Sequence, residues 1–221
     1  NIIPSSGRKV VRLEKDGCIA FCKFYPELVG REEAVGELTR LVIGFGAPRG
    51  ELFRFPGGVP VWISQAIPGE TLQWVLKHDP KRLEKLDSIS VMQMILMAML
   101  VNPEDGKPDN YIVEPHPDKP GMYRLSCVDN DHGFVPAFVK ALPREETLLT
   151  KREIVVQVKT VLYCLDFMKE TIPKETREIF LKEEPLTLMR KWLDYLQAHN
   201  KLYQARYSTK EVLDLFKTQK C

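Results

Sequence analysis

The 221-residue chain predicts an α+β fold in two lobes, a small N-terminal β-sheet lobe with one helix and a mainly helical C-terminal lobe. Three observations point there. Strand-like runs with turn signals between them fill residues 1–66, interrupted by a single helical pattern. A strand, a short Pro-Gly break and a helix start follow one another over 59–72, the order expected of a connector between lobes. Beyond Phe134 the apolar spacing reads as helical to the end. One domain covering 1–221 is expected, with the lobes divided at 66/67.

Composition is that of a folded globular chain, with 44% apolar residues to build a core and 28% charged residues to cover it. A net charge of +2 gives no global field to recruit nucleic acid or a membrane surface. No run approaches the length of a membrane span, and no secretory signal opens the chain. The first residue is Asn, which predicts a piece of a longer polypeptide with flanking domains. Cysteines at 18, 22, 127, 164 and 221 are scattered, and Cys18 and Cys22 lack a downstream pair, which argues against zinc. Most lie in apolar runs and are expected buried and reduced, in keeping with an intracellular, cytoplasmic protein. His78, His116, His132 and His199 are too dispersed for a metal site.

Taken in order, Pro4-Ser5-Ser6-Gly7 has turn chemistry. Lys9–Leu13 and Ile19–Phe24 have strand composition, joined through the Lys15-Asp16-Gly17 hairpin signal. Ile19, Phe21 and Lys23 share one face of the second strand, so Lys23 is either an edge lysine in solvent or a lysine directed inward. Glu27–Ile43 has helical spacing, with Ala34, Leu38, Leu41 and Val42 as the buried stripe and Gly44-Phe45-Gly46 ending it. Glu33 is the candidate partner of an inward Lys23 and Glu37 the reserve; either could be an exposed helical charge.

A short strand is expected at Glu51–Phe55 and another at Val59–Ala66, running into the helix start at Glu70-Thr71-Leu72. Ser88–Leu100 is a strongly apolar helix, with Ile89, Met92, Ile95, Leu96 and Met99 expected on its buried side, its methionines read as core. Pro103 stops it. The chain then enters a loop in which Asn110 stands five residues after Asp105, with Gly106 and Pro108 between them. Tyr111-Ile112-Val113 and Met122–Val128 read as paired strands, which brings Asp105, Asn110 and Asp129 to neighbouring ends of one hairpin. An acid, an amide and a second acid so placed suit phosphoryl transfer: one acid orients a hydroxyl while the others hold Mg²⁺. Asp, Asn and Gly are also the commonest loop residues, so the combination carries the signal and no single residue does. Arg152–Glu170, Lys174–Lys182, Leu186–His199 and Ser208–Thr218 fit amphipathic helices, the last opening on a capping box, and Tyr163, Phe167, Phe180, Trp192 and Tyr195 are read as core.

In these pieces the chain resembles the atypical kinase superfamily of phosphatidylinositol 3- and 4-kinases and actin-fragmin kinase, and most closely the type II phosphatidylinositol 4-kinases. Their catalytic loop reads like DRGNDNWLI, against DGKPDNYIV here, and their metal segment like AIDNGLAFP, against CVDNDHGFVP. Their helix resembles EAGAYLVDNKLGLGIVP, matched by Glu33-Ala34-Val35-Gly36-Glu37-Leu38 through Gly44-Phe45-Gly46-Ala47-Pro48. The likeness covers about residues 5–136 and implies a protein-kinase-like fold, ATP and Mg²⁺. It implies Asp105 as catalytic acid/base, Asn110 with Asp129 or Asp131 as metal ligands, Lys23 on the phosphates, Glu33 as its ion-pair partner, Ser5-Ser6-Gly7 as the loop over the phosphates, and Gln65, Ala66 and Ile67 along the adenine edge. Gly106 stands where these lipid kinases carry a basic residue, with Lys107 next to it. Lys140, Arg144, Lys151 and Arg152 are diluted by Glu145 and Glu146, so a protein hydroxyl is expected as acceptor in preference to a phosphoinositide. The alternative reading is a pseudokinase or nucleotide-binding interaction module.

Overall fold

The computed structural model describes residues 2–5, 8–26, 29–55, 58–140 and 154–206. The N-terminal part is a five-stranded antiparallel sheet of order β1-β2-β3-β5-β4, built from β1 (Ile2–Ser5), β2 (Arg8–Lys15), β3 (Cys18–Phe24), β4 (Gly50–Arg54) and β5 (Pro60–Gln65). The β2–β3 hairpin turns at Asp16 and Gly17, whose φ angles of 51° and 79° are the left-handed pair that the Asp-Gly signal anticipates. Strand β1 was not anticipated: Pro4 and Ser5, read as turn residues, pair with Lys9 and Arg8. Pro4 is tolerated because β1 is an edge strand, where a missing N–H breaks no interior ladder.

Helix α1 (Val29–Ile43) leaves the sheet at β3 and packs on the C-terminal elements, so its Val35, Leu38 and Ile43 belong to the main hydrophobic core. That core is completed by α2 (Leu72–His78), which follows the two-residue strand β6 (Glu70–Thr71), by α3 (Ser88–Val101), and by the hairpin of β7 (Tyr111–Pro115) and β8 (Tyr123–Cys127). Helix α3 is enclosed nearly all round between Ser90 and Ala98, which is why its sequence is apolar on every face. Its N-terminus is capped by Asp87, whose carboxylate accepts from Ser90 N–H at 2.9 Å. Met99, expected buried, is 46% exposed because the last turn of α3 emerges where Asn102 ends the helix in a left-handed conformation.

The largest departure lies past residue 137. In place of a helix over Arg152–Glu170 the chain forms β10 (Ile154–Val156), paired antiparallel with β9 (Phe138–Lys140), and then two short 3₁₀ turns at Val161–Cys164 and Asp166–Lys169. The β-branched run Ile154-Val155-Val156 is offered a partner strand, and tertiary pairing outweighs a local helical spacing. The expected helices after it are present as α4 (Lys174–Phe180) and α5 (Pro185–Arg206). The helix expected at Ser208–Thr218 lies outside the described residues. The architecture is α+β, an antiparallel sheet lobe followed by a mainly helical part. Among the described residues no helix is long and apolar enough to cross a membrane.

Candidate active site

Lys23 sits in β3, the middle strand of the sheet, directly opposite Trp62 of β5. Its side chain is only 13% exposed, and its ammonium contacts three carboxylates. Glu32 of α1 lies at 3.1 Å, Asp129 at 2.9 Å and Asp131 at 3.5 Å, the last two on the turn that follows β8. One face of the sheet, one helix and one strand end therefore converge on a single cation. Burial pulls against the Lys23 charge, but the three carboxylates outweigh it and hold its pKa above the usual lysine range. Three carboxylates sharing one ammonium leave an excess of negative charge in a largely buried site, with Asp129 its more open member. Burial is the main reason that Glu32 is lifted to about 7, with Lys23 opposing it and Asp129 and Asp131 reinforcing it. Asp129 is raised as well, by burial first, opposed by Lys23.

The glutamate on Lys23 is Glu32. Glu33, the expected partner, lies a further ~100° around the helix and is bound instead by residues of α5, with His199 Nδ1 at 2.5 Å. Glu37, the reserve, pairs with Arg40 at 2.9 Å on its own helix. Both Glu32 and Glu33 are buried, so hydrophobic periodicity could not tell which faces the sheet.

The loop after α3 brings the remaining polar residues up to this cluster. The Asn110 side chain is buried, and its Nδ2 donates to the Asp105 carbonyl at 2.6 Å, which leaves its side-chain oxygen as an acceptor. Asn110 O in turn accepts from Val128 N–H at 2.9 Å, fixing the loop to the segment that carries Asp129. The Asp105 carboxylate is 46% exposed, open to a second molecule, and Lys107 Nζ lies 3.1 Å from it. That carboxylate holds the Lys107 ammonium above its ordinary pKa. Lys107, two residues past Asp105 in sequence, is thereby placed beside the candidate acid/base.

Gly106 has a structural reason for lacking a side chain. The segment 157–161 runs alongside the loop like an added strand. Gly106 N–H donates to Lys159 O at 2.8 Å, Val161 N–H to Gly106 O at 2.7 Å and Lys159 N–H to Pro103 O at 2.9 Å. A Cβ at Gly106 would lie 2.5 Å from Thr160 Cβ and 2.7 Å from its Cα. Tyr111 and Thr160 share a buried hydrogen bond at 2.8 Å that pins the same contact.

Gln65 ends β5 opposite Ala20, three residues along β3 from Lys23. Gln65 N–H donates to Arg49 O at 2.8 Å and Ala66 N–H to Ile19 O at 3.0 Å, so these two amide donors are already paired. The Ile67 amide makes no bond to the backbone of the described residues. Ser6 and Gly7 of the expected phosphate loop lie outside the described residues, with Ser5 ending β1. Arg144, Lys151 and Arg152 of the diluted basic group also lie outside them, as does the Lys140 side chain.

No protein-family model matches the chain, and no curated protein matches it. Among solved structures, WaaP in complex with acyl carrier protein is 17% identical over 91% of this chain and 88% of that one, with a TM-score of 0.41. The Helicobacter pylori proinflammatory kinase CtkA is 12% identical over 99% of this chain and 97% of that one, with a TM-score of 0.44. At these values neither likeness bears on chemistry, which has to follow from the side chains themselves.

The cluster can bind a hard cation. Glu32, Asp129 and Asp131 each offer a carboxylate oxygen, all within 4.8 Å of one another, and such a set suits an ion that prefers oxygen ligands. It can also bind polyanionic oxygens through Lys23 and Lys107, and it can take a proton from a hydroxyl through the exposed Asp105.

Proposed function

We propose that the chain is an ATP- and Mg²⁺-dependent phosphotransferase that moves the γ-phosphoryl group to a hydroxyl, with a protein acceptor favoured over a phosphoinositide. The observation that carries this reading is the Lys23 ammonium, held between a helix carboxylate at 3.1 Å and a strand-end carboxylate at 2.9 Å, with Asn110 bonded to the backbone of Asp105 beside it. A lysine paired with a helix glutamate next to an Asp–Asn loop and a strand-end Asp is the set of parts that phosphoryl transfer in kinases uses.

In this reading Lys23 binds phosphate oxygens of the nucleotide, with Glu32 fixing the direction of its side chain. Asp105 accepts the proton of the acceptor hydroxyl as that oxygen bonds to the γ-phosphorus and the bond to the ADP oxygen breaks. Lys107, held at 3.1 Å from Asp105, brings positive charge to the transferring group. Asn110, Asp129 and Asp131 would hold Mg²⁺, which when bound neutralises phosphate charge. The protein acceptor rests on the diluted basic composition after Gly133.

The test is transfer of labelled γ-phosphate to a panel of proteins and phosphoinositides. Asp105→Ala should lower transfer by about 10²–10⁴-fold, the usual contribution of a positioned acid/base. Equal incorporation by wild type and variant would remove Asp105 from the mechanism. One observation favours a second reading, a nucleotide-binding module without transfer: Lys23 is bound by both Asp129 and Asp131, so the phosphate-binding cation and the metal-binding acids are engaged with one another. Binding of Mg²⁺–ATP, seen as thermal stabilisation of wild type, without label transfer to any acceptor or to water would select it.

A further inference from the structure

Glu33 is buried and yet takes no part in the Lys23 cluster. Its Oε1 is the meeting point of three side chains of α5. Tyr195 and Tyr203 donate their hydroxyls to it at 3.4 and 3.3 Å, and His199 Nδ1 lies 2.5 Å away. These three stand at i, i+4 and i+8, one stripe of the helix. They also pack on each other, Tyr195 stacked on His199 with centroids 4.2 Å apart and Tyr203 meeting the same ring edge-on at 5.8 Å. One residue along α1, the Ala34 carbonyl accepts from Trp192 Nε1 at 2.9 Å. Helix α5 thus grips α1 at two successive residues, through a side chain and through the backbone.

The residue before this grip is Glu32, the helix carboxylate on Lys23. Adjacent residues on a helix share its rotation about the axis, so whatever fixes the direction of Glu33 fixes that of Glu32. At the ~5–6 Å radius of side-chain ends, a roll of about 20° carries a carboxylate roughly 2 Å. That is enough to part Glu32 from Lys23, now 3.1 Å away. We propose that Glu33 is a positioning residue for phosphoryl transfer: Tyr195, His199 and Tyr203 hold it so that α1 keeps the roll that places Glu32 on Lys23. The C-terminal helix becomes part of the site at one remove, and any partner or modification that lifts α5 from α1 would lower activity without touching the nucleotide. The inference rests on the phosphotransferase reading for its kinetic consequence but not for its geometry.

The experiment uses the full chain and two readouts, label transfer and the rate at which a small N-hydroxysuccinimide ester acylates Lys23, followed by peptide mass. Glu33→Ala should lower kcat about tenfold with KM for ATP within about twofold, the size of coupling carried between packed elements, and acylation of Lys23 should rise several-fold as Glu32 lets go. Glu33→Gln, which keeps an acceptor oxygen at the same reach, should recover kcat to within about threefold of wild type. Wild-type kcat and wild-type acylation in Glu33→Ala would overturn the inference, as would a kcat loss that only follows the folded fraction. If wild type transfers no phosphate, the phosphotransferase reading fails; acylation then decides this inference alone, faster in Glu33→Ala supporting it and unchanged overturning it. Should Glu33→Ala not fold, His199→Gln gives the same two readouts from the partly exposed end of the contact.

Discussion

Glu32 makes a prediction whose sign and size both follow from the site. It is 6% exposed, and burial lifts its carboxyl from 4.5 to about 7 even with Lys23 beside it. A carboxyl with a folded-state pKa above its unfolded value contributes stability that is fully present below the unfolded pKa and is lost as pH rises through the folded one. Between pH 4.5 and 7 the unfolded chain has released this proton and the native state has kept it. Stability from this group therefore falls by about 1.4 kcal/mol per pH unit across that window and levels off above it, for a total on the order of 3 kcal/mol. Lys23 does not blur the reading, because its raised pKa matters only in the alkaline range above 10.5.

Glu32→Gln keeps the side chain's size and removes the titration. In urea unfolding at pH 5, 6, 7 and 8, wild type should lose about 2–3 kcal/mol across the series relative to the variant. At pH 8 Glu32→Gln should be the more stable protein, although it has lost the partner of Lys23 and should be impaired in transfer. Parallel curves for the two proteins would show that Glu32 ionises freely in the folded state, and the charge excess around Lys23 would then have to be wrong.

Three further outcomes are expected. Millimolar Mg²⁺ should raise the unfolding midpoint of wild type at pH 8, and Asp129→Asn should abolish that shift, because it removes one of the three convergent carboxylates. Gly106→Ala should cost about 1–3 kcal/mol in urea unfolding, the usual penalty for overpacking, since the new Cβ meets Thr160 backbone at 2.7 Å; kcat should fall with it, as the displaced loop carries Asp105. Burial alone would raise the Asp87 carboxyl, but the Lys119 ammonium and the Ser90 N–H outweigh it and leave the group lowered. Its stabilising contribution is thus present above 3.8 and is lost as pH falls through the depressed value, so Asp87→Asn, which keeps a capping oxygen and loses only the charge, should be less stable than wild type at pH 7 in urea unfolding and approach it in acid.

What the sequence made legible was chemistry near rigid local signals. The Asp16-Gly17 turn fixed the β2–β3 pairing that sets Lys23 opposite Val10, while strand alternation left Lys23 either inward or in solvent. The apolar run of α3 delivered Asp105 and Asn110 to the end of the β7–β8 hairpin, next to Asp129. Elsewhere the deciding interaction was nonlocal. Ile154–Val156 became a strand because Phe138–Lys140 lay beside it, and Gly106 reads as an ordinary loop glycine until Thr160 packs against it.

The exchange of Glu32 for Glu33 has the same origin and says the most about the site. Periodicity separates a buried face from an exposed one, and α1 has no exposed face at 32–36 by which to orient the pair. What separates them is a second helix with its own requirement. Tyr195, His199 and Tyr203 form a polar aromatic stripe whose two hydroxyls donate to the Glu33 carboxylate, with His199 Nδ1 beside them. In sequence Tyr195 reads as core, His199 as a dispersed histidine and Tyr203 carries no assignment; taken together as hydrogen-bonding groups they would have claimed one of two adjacent glutamates for α5. Lys23 would then have been left with the other.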